Sequence, residues 1–169
     1  YRFEEGFYNF FQLSYINAND VMPVVDWMKQ ATFYQIFVDR FYMGNRAKDT
    51  SYINMKWEDK PTPKSFAGGD LRGIIEKMDY LKELGITAIY LTPIFQSISN
   101  HKYDTIDYMT IDSQFGTKED FAELVKEAHA RGIRIVLDAV FNHCSMQMRQ
   151  FMDVLERGRD SRFYDWFVI

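Results

Sequence analysis

The sequence predicts an α/β fold with a parallel sheet, because two similar units of helix, glycine and apolar strand follow one another. One unit enters its strand at Gly85 and Ile86, and the other enters at Gly132 and Ile133. An apolar run over residues 33–38 supplies an earlier strand. Strands that alternate with helices pair in parallel through crossover connections. Three such strands alone would leave two open edges, so we expect further strands outside this chain.

The first predicted strand, residues 33–38, is rich in aromatic and branched side chains and is followed by Asp39. A polar stretch over residues 44–63 predicts a long loop, and loops of that length in compact domains are usually functional or mobile. Residues 1–30 follow no regular hydrophobic period. We expect them to form a connecting segment that packs on a neighbouring surface.

One helix is predicted after the long loop, over residues 71–84. Asp70 is its expected N-cap, and Gly85 its expected C-terminal stop. Its apolar residues share one face at helical spacing: Leu71, Ile74, Ile75, Met78, Leu81 and Leu84. The apolar run at residues 86–91 then predicts the second strand.

A second helix is predicted to begin at Thr117, which forms a capping box with Asp120. The helix is expected to end at Gly132, and residues 133–140 read as the third strand. The apolar face of this helix carries Phe121, Leu124, Val125 and Ala128.

The composition is that of a globular protein, with 47% hydrophobic and 26% charged residues. The 17% aromatic content favours either a carbohydrate site or a large interface with a missing part. A net charge of −4 argues against nucleic acid and anionic membranes as main partners. The single cysteine, Cys144, excludes an internal disulfide. We expect a cytoplasmic protein, since neither a signal peptide nor a membrane span is visible. Nucleotide-binding and zinc-protease motifs are also absent.

Polar side chains follow the second and third predicted strands. Asp138 and His143 lie at the end of the third, where α/β folds build their active sites. His101, Tyr103 and Asp104 lie on a loop after the second. An aromatic ring beside a histidine and an acid would suit a sugar, since the ring stacks and the polar groups bind hydroxyls. The alternative is a capped surface loop with a packed tyrosine, which composition alone slightly favours.

A second candidate site combines Asp39 and the loop after it with the turn Gly68-Gly69-Asp70. Calcium takes six to eight oxygen ligands from carboxylates, amides and carbonyls. Lys48 lies inside the loop, however, and its ammonium group can take the electrostatic role of a cation. The residues themselves favour a solvated turn without a metal. The candidate ligands in this region are Asn45, Asp49, Gly68 and Asp70.

Several segments together resemble the α-amylase family of glycoside hydrolases, in its neopullulanase, cyclomaltodextrinase and maltogenic amylase branch. They cover nearly the whole chain from Trp27 onward, and their combination is far more specific than any one of them. The segments are Phe33-Tyr34-Gln35-Ile36-Phe37 with Asp39-Arg40-Phe41, Gly68-Gly69-Asp70-Leu71, residues 85–93, His101-Lys102-Tyr103-Asp104-Thr105 and Asp138-Ala139-Val140-Phe141-Asn142-His143.

The resemblance implies a (β/α)8 TIM barrel, of which this chain would hold the first three β/α units. Residues 1–26 would be a linker from an N-terminal β-sandwich domain, and residues 27–143 the first part of the barrel. Residues 144–169 would begin domain B, the excursion after the third strand. The full-length protein would be a homodimer, as is usual in this branch.

The resemblance also implies roles for individual residues. Tyr103 would stack on the sugar ring before the cleaved bond, and His143 would bind a hydroxyl, with His101 and Asp104 close by. Asp138 would orient its neighbours. No cofactor is required, and calcium remains an alternative at the loop residues above and at Asn142, a calcium ligand in many relatives.

The family cleaves α-1,4-glucosidic bonds with retention, using carboxylates from later strands. The nucleophile and the acid/base would therefore lie beyond Ile169, and this piece alone is expected to be inactive. The expected substrates are cyclodextrins, pullulan or starch oligosaccharides. The alternatives are a non-catalytic carbohydrate-binding or partner-docking module, and a regulatory or transport-associated relative that has lost the acids.

Overall fold

The computed structural model describes residues 25–168. The chain divides into two units after Ala31, and the described part of the first unit is a 3-10 helix over Asp26–Gln30. The predicted connecting segment and the linker over residues 1–26 therefore lie almost entirely outside the described residues. No helix within residues 25–168 is long and apolar enough to cross a bilayer.

A parallel three-stranded sheet forms the centre of the second unit, as the sequence predicts. The strands within residues 25–168 are β1 (Phe33–Ile36), β2 (Ala88–Leu91), β3 (Phe95–Gln96), β4 (Asp107–Ile111) and β5 (Arg134–Leu137). The order of the parallel sheet is β1-β2-β5, with both neighbouring pairs parallel. An additional antiparallel pair, β3 and β4, lies in a region where the sequence predicts only a loop.

The parallel strands are shorter than predicted. A 3-10 helix over Val38–Arg40 ends the first. Ile86 and Ile133 are buried like strand residues, yet their amides donate to Leu81 and Ala128 carbonyls at the preceding helix ends. Ile86 and Ile133 therefore bond to the ends of the helices and precede the strands. Their hydrophobicity alone does not distinguish a residue at a helix end from a residue in a strand.

The prediction of one helix over residues 71–84 is wrong in one respect. The helix breaks at Lys77, where φ is −98° and ψ is 8°. Ile74, Met78 and Leu81 on either side of the break all lie in one core, so the apolar pattern continues through it. The α-helices of the described part of the chain are α1 (Leu71–Glu76), α2 (Met78–Glu83), α3 (Lys118–Ala130) and α4 (Arg149–Arg157), and 3-10 helices follow at Gly158–Asp160 and Tyr164–Trp166.

The predicted helix ends are confirmed. Asp70 Oδ1 accepts a 2.7 Å hydrogen bond from the Gly73 amide at the start of α1. Thr117 and Asp120 form the predicted capping box of α3. After α2, Gly85 adopts φ +82°, a conformation that favours glycine and lets the chain turn into β2.

The core lies between the parallel sheet and the helices α1 to α3, and it fixes where the strand ends point. The chain leaves β2 into residues 92–94 and leaves β5 into residues 138–143, and adjacent parallel strands bring these exits to the same edge. The central members of the core are Ile36, Leu71, Ile74, Met78, Leu81, Ile89, Leu91, Leu124 and Ile133.

Candidate functional site

Two of the segments that the sequence singles out meet in the structure. The Tyr103 hydroxyl, on the loop after β3, donates a 2.7 Å hydrogen bond to Oδ2 of Asp138, which directly follows β5. This contact joins the loop to the end of the parallel sheet. Asp138 therefore fixes the direction of the Tyr103 ring.

The Asp138 carboxylate also interacts with Tyr90, a residue of β2. The hydrogen bond to Asp138, together with burial, raises the pKa of Tyr103 to about 12. Burial and then Asp138 raise the pKa of Tyr90. Both phenols stay protonated at neutral pH, and the Tyr103 hydroxyl is the donor in its hydrogen bond with Asp138.

The loop around Tyr103 is ordered by its own polar groups. Nδ1 of His101 accepts a 3.1 Å hydrogen bond from the Tyr103 amide, and the two rings lie 5.9 Å apart at 33°. Asp104 accepts hydrogen bonds from the hydroxyls of Ser97 and Ser99. Burial raises the pKa of Asp104, but these hydrogen bonds outweigh it and hold the pKa below its ordinary value. Asp104 is therefore a carboxylate at neutral pH and holds the loop by accepting these hydrogen bonds.

His143 lies at the open end of the segment after β5 and is exposed. Its backbone carbonyl accepts a 3.2 Å hydrogen bond from the Tyr108 hydroxyl, which also donates to the Val140 carbonyl. The Asn142 amide lies 3.4 Å from Nδ1 of His143. In the part of the chain that the structure describes, His143 makes no hydrogen bond or ring contact with Tyr103, so the two predicted sugar contacts are not joined to each other.

Lys102 is a residue whose role the sequence does not reveal. It lies inside the His101–Asp104 run, is fully buried and adopts φ +62°, which is uncommon for a residue with a side chain. Its ammonium group forms a 2.9 Å ion pair with Asp112. Burial lowers the pKa of Lys102, and Asp112 partly offsets this effect.

Other residues that sequence reasoning missed are Tyr90, Tyr108 and Gln114. A tyrosine within the otherwise aliphatic strand β2 is a usable signal, because a half-buried phenol usually finds a hydrogen-bond partner. Gln114 carries no such signal. Its importance depends on contacts with residues that are distant in the sequence.

The second candidate site, the loop around Asn45 with the turn Gly68-Gly69-Asp70, is organised around Asp70. Its Oδ1 accepts from the amides of Gly44 and Gly73, and its Oδ2 accepts from the Asn45 amide. Oδ2 also forms a 3.0 Å ion pair with Lys48. All of these partners are groups of the protein, so both carboxylate oxygens of Asp70 are already hydrogen-bonded within the chain.

The neighbouring oxygen atoms also accept hydrogen bonds from groups of the protein. The Gly68 carbonyl accepts a 2.7 Å hydrogen bond from Lys48 Nζ. Oδ1 of Asn45 accepts from the Ala47 amide, and the carboxylate of Asp49 accepts from Ser51. Close packing holds the turn in place, because a Cβ on Gly69 would lie 2.1 Å from the Val38 carbonyl oxygen.

The residues of this loop do not fit a calcium ion. Lys48 places an ammonium group among the oxygens that a cation would use. Asp39 is also engaged, since it accepts from the amides of Ala67 and Gly68. Within residues 25–168, no three histidine, cysteine, aspartate or glutamate side chains are grouped closely enough to hold a metal. Asn142 is exposed and contacts His143.

Comparisons with known proteins identify the family. The model of the alpha-amylase catalytic domain matches residues 35–169. A cyclomaltodextrinase from Thermoanaerobacter pseudethanolicus is 49% identical over 166 residues, which are 98% of this chain and 29% of that protein. Neopullulanase 2 from Thermoactinomyces vulgaris is 51% identical over 160 residues, covering 94% of this chain and 27% of its own length.

A solved structure shows the same fold. The cyclic alpha-maltosyl-(1→6)-maltose hydrolase from Arthrobacter globiformis superimposes with a TM-score of 0.77 at 48% identity, covering 85% of this chain and 32% of that one. The chain thus spans less than a third of the length of these relatives. The predicted fold class, an α/β portion of a TIM barrel, is confirmed. The chain belongs to the α-amylase family of glycoside hydrolases and carries part of its catalytic domain.

Proposed function

We propose that this chain is part of a retaining glycoside hydrolase that acts on α-1,4-glucosidic bonds. The substrates are cyclodextrins, pullulan or starch oligosaccharides, which share α-linked glucose units. Within that enzyme, the chain contributes one side of a sugar-binding subsite. Tyr103 and His143 are its principal contacts, with His101 and Asp104 beside them.

The observation that carries this proposal is the hydrogen bond between Tyr103 and Asp138. It holds an aromatic ring at the edge where β2 and β5 end, and aromatic faces stack on the apolar side of a pyranose. His143, exposed on the same strand-end segment, offers an imidazole for a hydroxyl. Ring and imidazole together supply the two kinds of contact that a sugar needs.

We assign no catalytic carboxylate to this chain. Retention requires a nucleophile and an acid/base about 5–5.5 Å apart across the anomeric carbon. Asp138 accepts a hydrogen bond from Tyr103 and interacts with Tyr90, and Asp104 accepts hydrogen bonds from two serine hydroxyls. Both therefore act on their neighbours, and the reacting carboxylates come from the remaining two thirds of the enzyme. We further propose that the enzyme needs no metal at the Asn45 loop, functions in the cytoplasm and dimerises.

The experiment that tests the proposal uses the full-length protein. Cyclomaltodextrin, pullulan and soluble starch are supplied separately, and new reducing ends are measured. Proton NMR at early times reports the anomer that forms first. We expect turnover of at least one substrate with the α-anomer as the initial product.

Two results would contradict the proposal. Initial formation of the β-anomer would rule out retention. Binding of maltooligosaccharides without any turnover would support the alternative of a non-catalytic carbohydrate-binding module. The isolated 169-residue piece is the matched control, and it is expected to show no turnover.

A further inference from the structure

Lys102 is held by three oxygen atoms, one for each proton of its ammonium group. Nζ lies 2.9 Å from Asp112 Oδ2, 2.7 Å from Gln114 Oε1 and 3.3 Å from the Ser97 carbonyl oxygen. A buried charge needs such complete pairing, because an unpaired ammonium group in the interior is very costly. The position of Lys102 is therefore fixed by its surroundings.

Lys48 has an equivalent environment in the other candidate site. Its side chain is 8% exposed, and Nζ lies 2.7 Å from the Gly68 carbonyl, 2.8 Å from the Gln114 carbonyl and 3.0 Å from Asp70 Oδ2. Carbonyl and carboxylate oxygens are the groups that bind hard cations. Lys48 thus supplies, from the chain itself, the positive charge that these oxygens need.

Gln114 connects the two lysines. Its main-chain oxygen accepts from Lys48, and its side-chain oxygen accepts from Lys102. Its own amide donates to Asp112 Oδ1 at 3.0 Å. A displacement of Lys48 would therefore move the backbone of Gln114 and, with it, an acceptor of Lys102.

The same groups reach the candidate sugar-binding loop, residues 97–104. Asp112 Oδ2 accepts from the Ser97 amide at 3.0 Å, and the Ser97 hydroxyl donates to Asp104. Lys102 directly precedes Tyr103, and its φ of +62° sets the path of the loop at that point. The loop is thus held at its start by Asp112 and near its end by Lys102.

We propose that Lys48 and Lys102 are positioning residues that act together through Gln114. Two built-in ammonium groups hold residues 97–104 in the conformation that presents Tyr103, and Lys48 does so where a metal ion would otherwise organise the loop. This inference rests on the proposed function in so far as the presented ring binds a sugar. Buried ion pairs often add little net stability, so specification of one loop conformation is the role that best accounts for them.

The experiment compares full-length variants that interrupt the connection at different points. Lys48→Met removes one ammonium group. Gln114→Ala removes the acceptor of Lys102 but keeps the main-chain oxygen that Lys48 contacts. The double variant combines them, and Lys126→Met, an exposed lysine of α3, is the matched control. Lys102→Met is not used, because Lys102 is fully buried, whereas Gln114→Ala removes one acceptor of Lys102 and leaves its ion pair with Asp112 in place.

The first measurement is hydrogen exchange, read by mass spectrometry in variants whose circular dichroism shows a folded protein. We expect faster exchange in residues 97–105 for Lys48→Met and Gln114→Ala, with unchanged exchange in α3. Lys126→Met should change neither segment. Unchanged exchange in residues 97–105 of folded Lys48→Met would overturn the proposal, whether or not the protein acts on glucans.

The second measurement is steady-state kinetics on cyclomaltodextrin. We expect each single variant to raise KM and lower kcat/KM by about tenfold or more, since small displacements of a binding group have effects of this size. The double variant should lose about as much as the more impaired of the two single variants, because both changes break one connection. Losses that multiply, or an unchanged KM, would overturn the proposal. An inactive wild-type protein with the expected exchange pattern would contradict only the proposed function.

Discussion

The Tyr103 hydroxyl lies 2.7 Å from Oδ2 of Asp138, although the two residues are 35 positions apart in the chain. The hydrogen bond joins a loop outside the parallel sheet to the residue that follows β5. It is accepted by a carboxylate that also raises the pKa of Tyr90 on the neighbouring strand, after burial. One aspartate therefore sets the position of the aromatic ring that we propose to be the stacking surface for a glucose unit.

Replacement of Tyr103 by phenylalanine should weaken substrate binding while keeping the aromatic face. The lost hydrogen bond is to a charged acceptor and is worth about 1.5–3 kcal/mol. We expect kcat/KM of the full-length enzyme on cyclomaltodextrin to fall about tenfold. Tyr80→Phe, at an exposed position of α2, is the control and should be neutral. Wild-type kinetics in Tyr103→Phe would show that ring orientation by Asp138 does not matter.

Removal of the imidazole in His143→Ala should lower kcat/KM of the full-length enzyme by at least about tenfold, which corresponds to about 1.4 kcal/mol of lost transition-state binding. His143 is exposed, so its removal should leave the free energy of unfolding almost unchanged. Steady-state kinetics and urea unfolding check the two parts. His129→Ala, at an exposed position of α3, is the control. Unchanged kinetics would reject the subsite role of His143.

The carboxylate of Asp104 should make stability depend on acidic pH. Its pKa in the folded protein is lower than the ordinary 3.8, since the hydrogen bonds from Ser97 and Ser99 outweigh burial. A carboxyl group with a lowered folded pKa stabilises the fold above its ordinary pKa, and this contribution is lost as pH falls through the lowered value.

We therefore expect the stability difference between the full-length protein and Asp104→Asn to be constant from pH 7 to about pH 5 and to shrink at lower pH. Urea unfolding at a series of pH values measures it. The exposed Asp165→Asn is the matched control, for which we expect no comparable change. A difference that grows as the pH falls would contradict the assigned direction.

Calcium should not bind tightly at the Asn45 loop, because Lys48 already neutralises Asp70 and occupies the Gly68 carbonyl. Titration calorimetry of the full-length protein with calcium chloride should show no tight binding at this loop. Tight binding that Asp49→Ala abolishes would overturn this prediction, since Asp49 is a candidate ligand whose exposed carboxylate accepts hydrogen bonds from Ser51.

Short sequence patterns predict the ends of the helices correctly. Asp70 and Thr117 cap helices as their spacing indicates, because an N-cap bonds to an amide only two or three residues away. Gly85 and Gly132 end helices at positive φ. The break at Lys77 escaped detection, since the residues on both sides of it face the same core and keep one hydrophobic period.

For the candidate site, the sequence supplied the residue types but not their partners. His101, Tyr103 and Asp104 were identified as a group because they are adjacent, and the structure shows that they share one hydrogen-bonded loop. The antiparallel pairing of β3 with β4, which frames this loop, was not predicted. Gln114 had no distinguishing feature at all.

The sequence alone predicts the three parallel strands, the caps of the helices and the polar residues at the strand ends, because each depends on patterns within a few positions. The folded chain is needed to see that Asp138 holds Tyr103 and that Gln114 joins Lys48 to Lys102. These contacts link residues 12 to 66 positions apart. Which buried charge meets which oxygen depends on how the whole chain packs, and no local pattern contains that information.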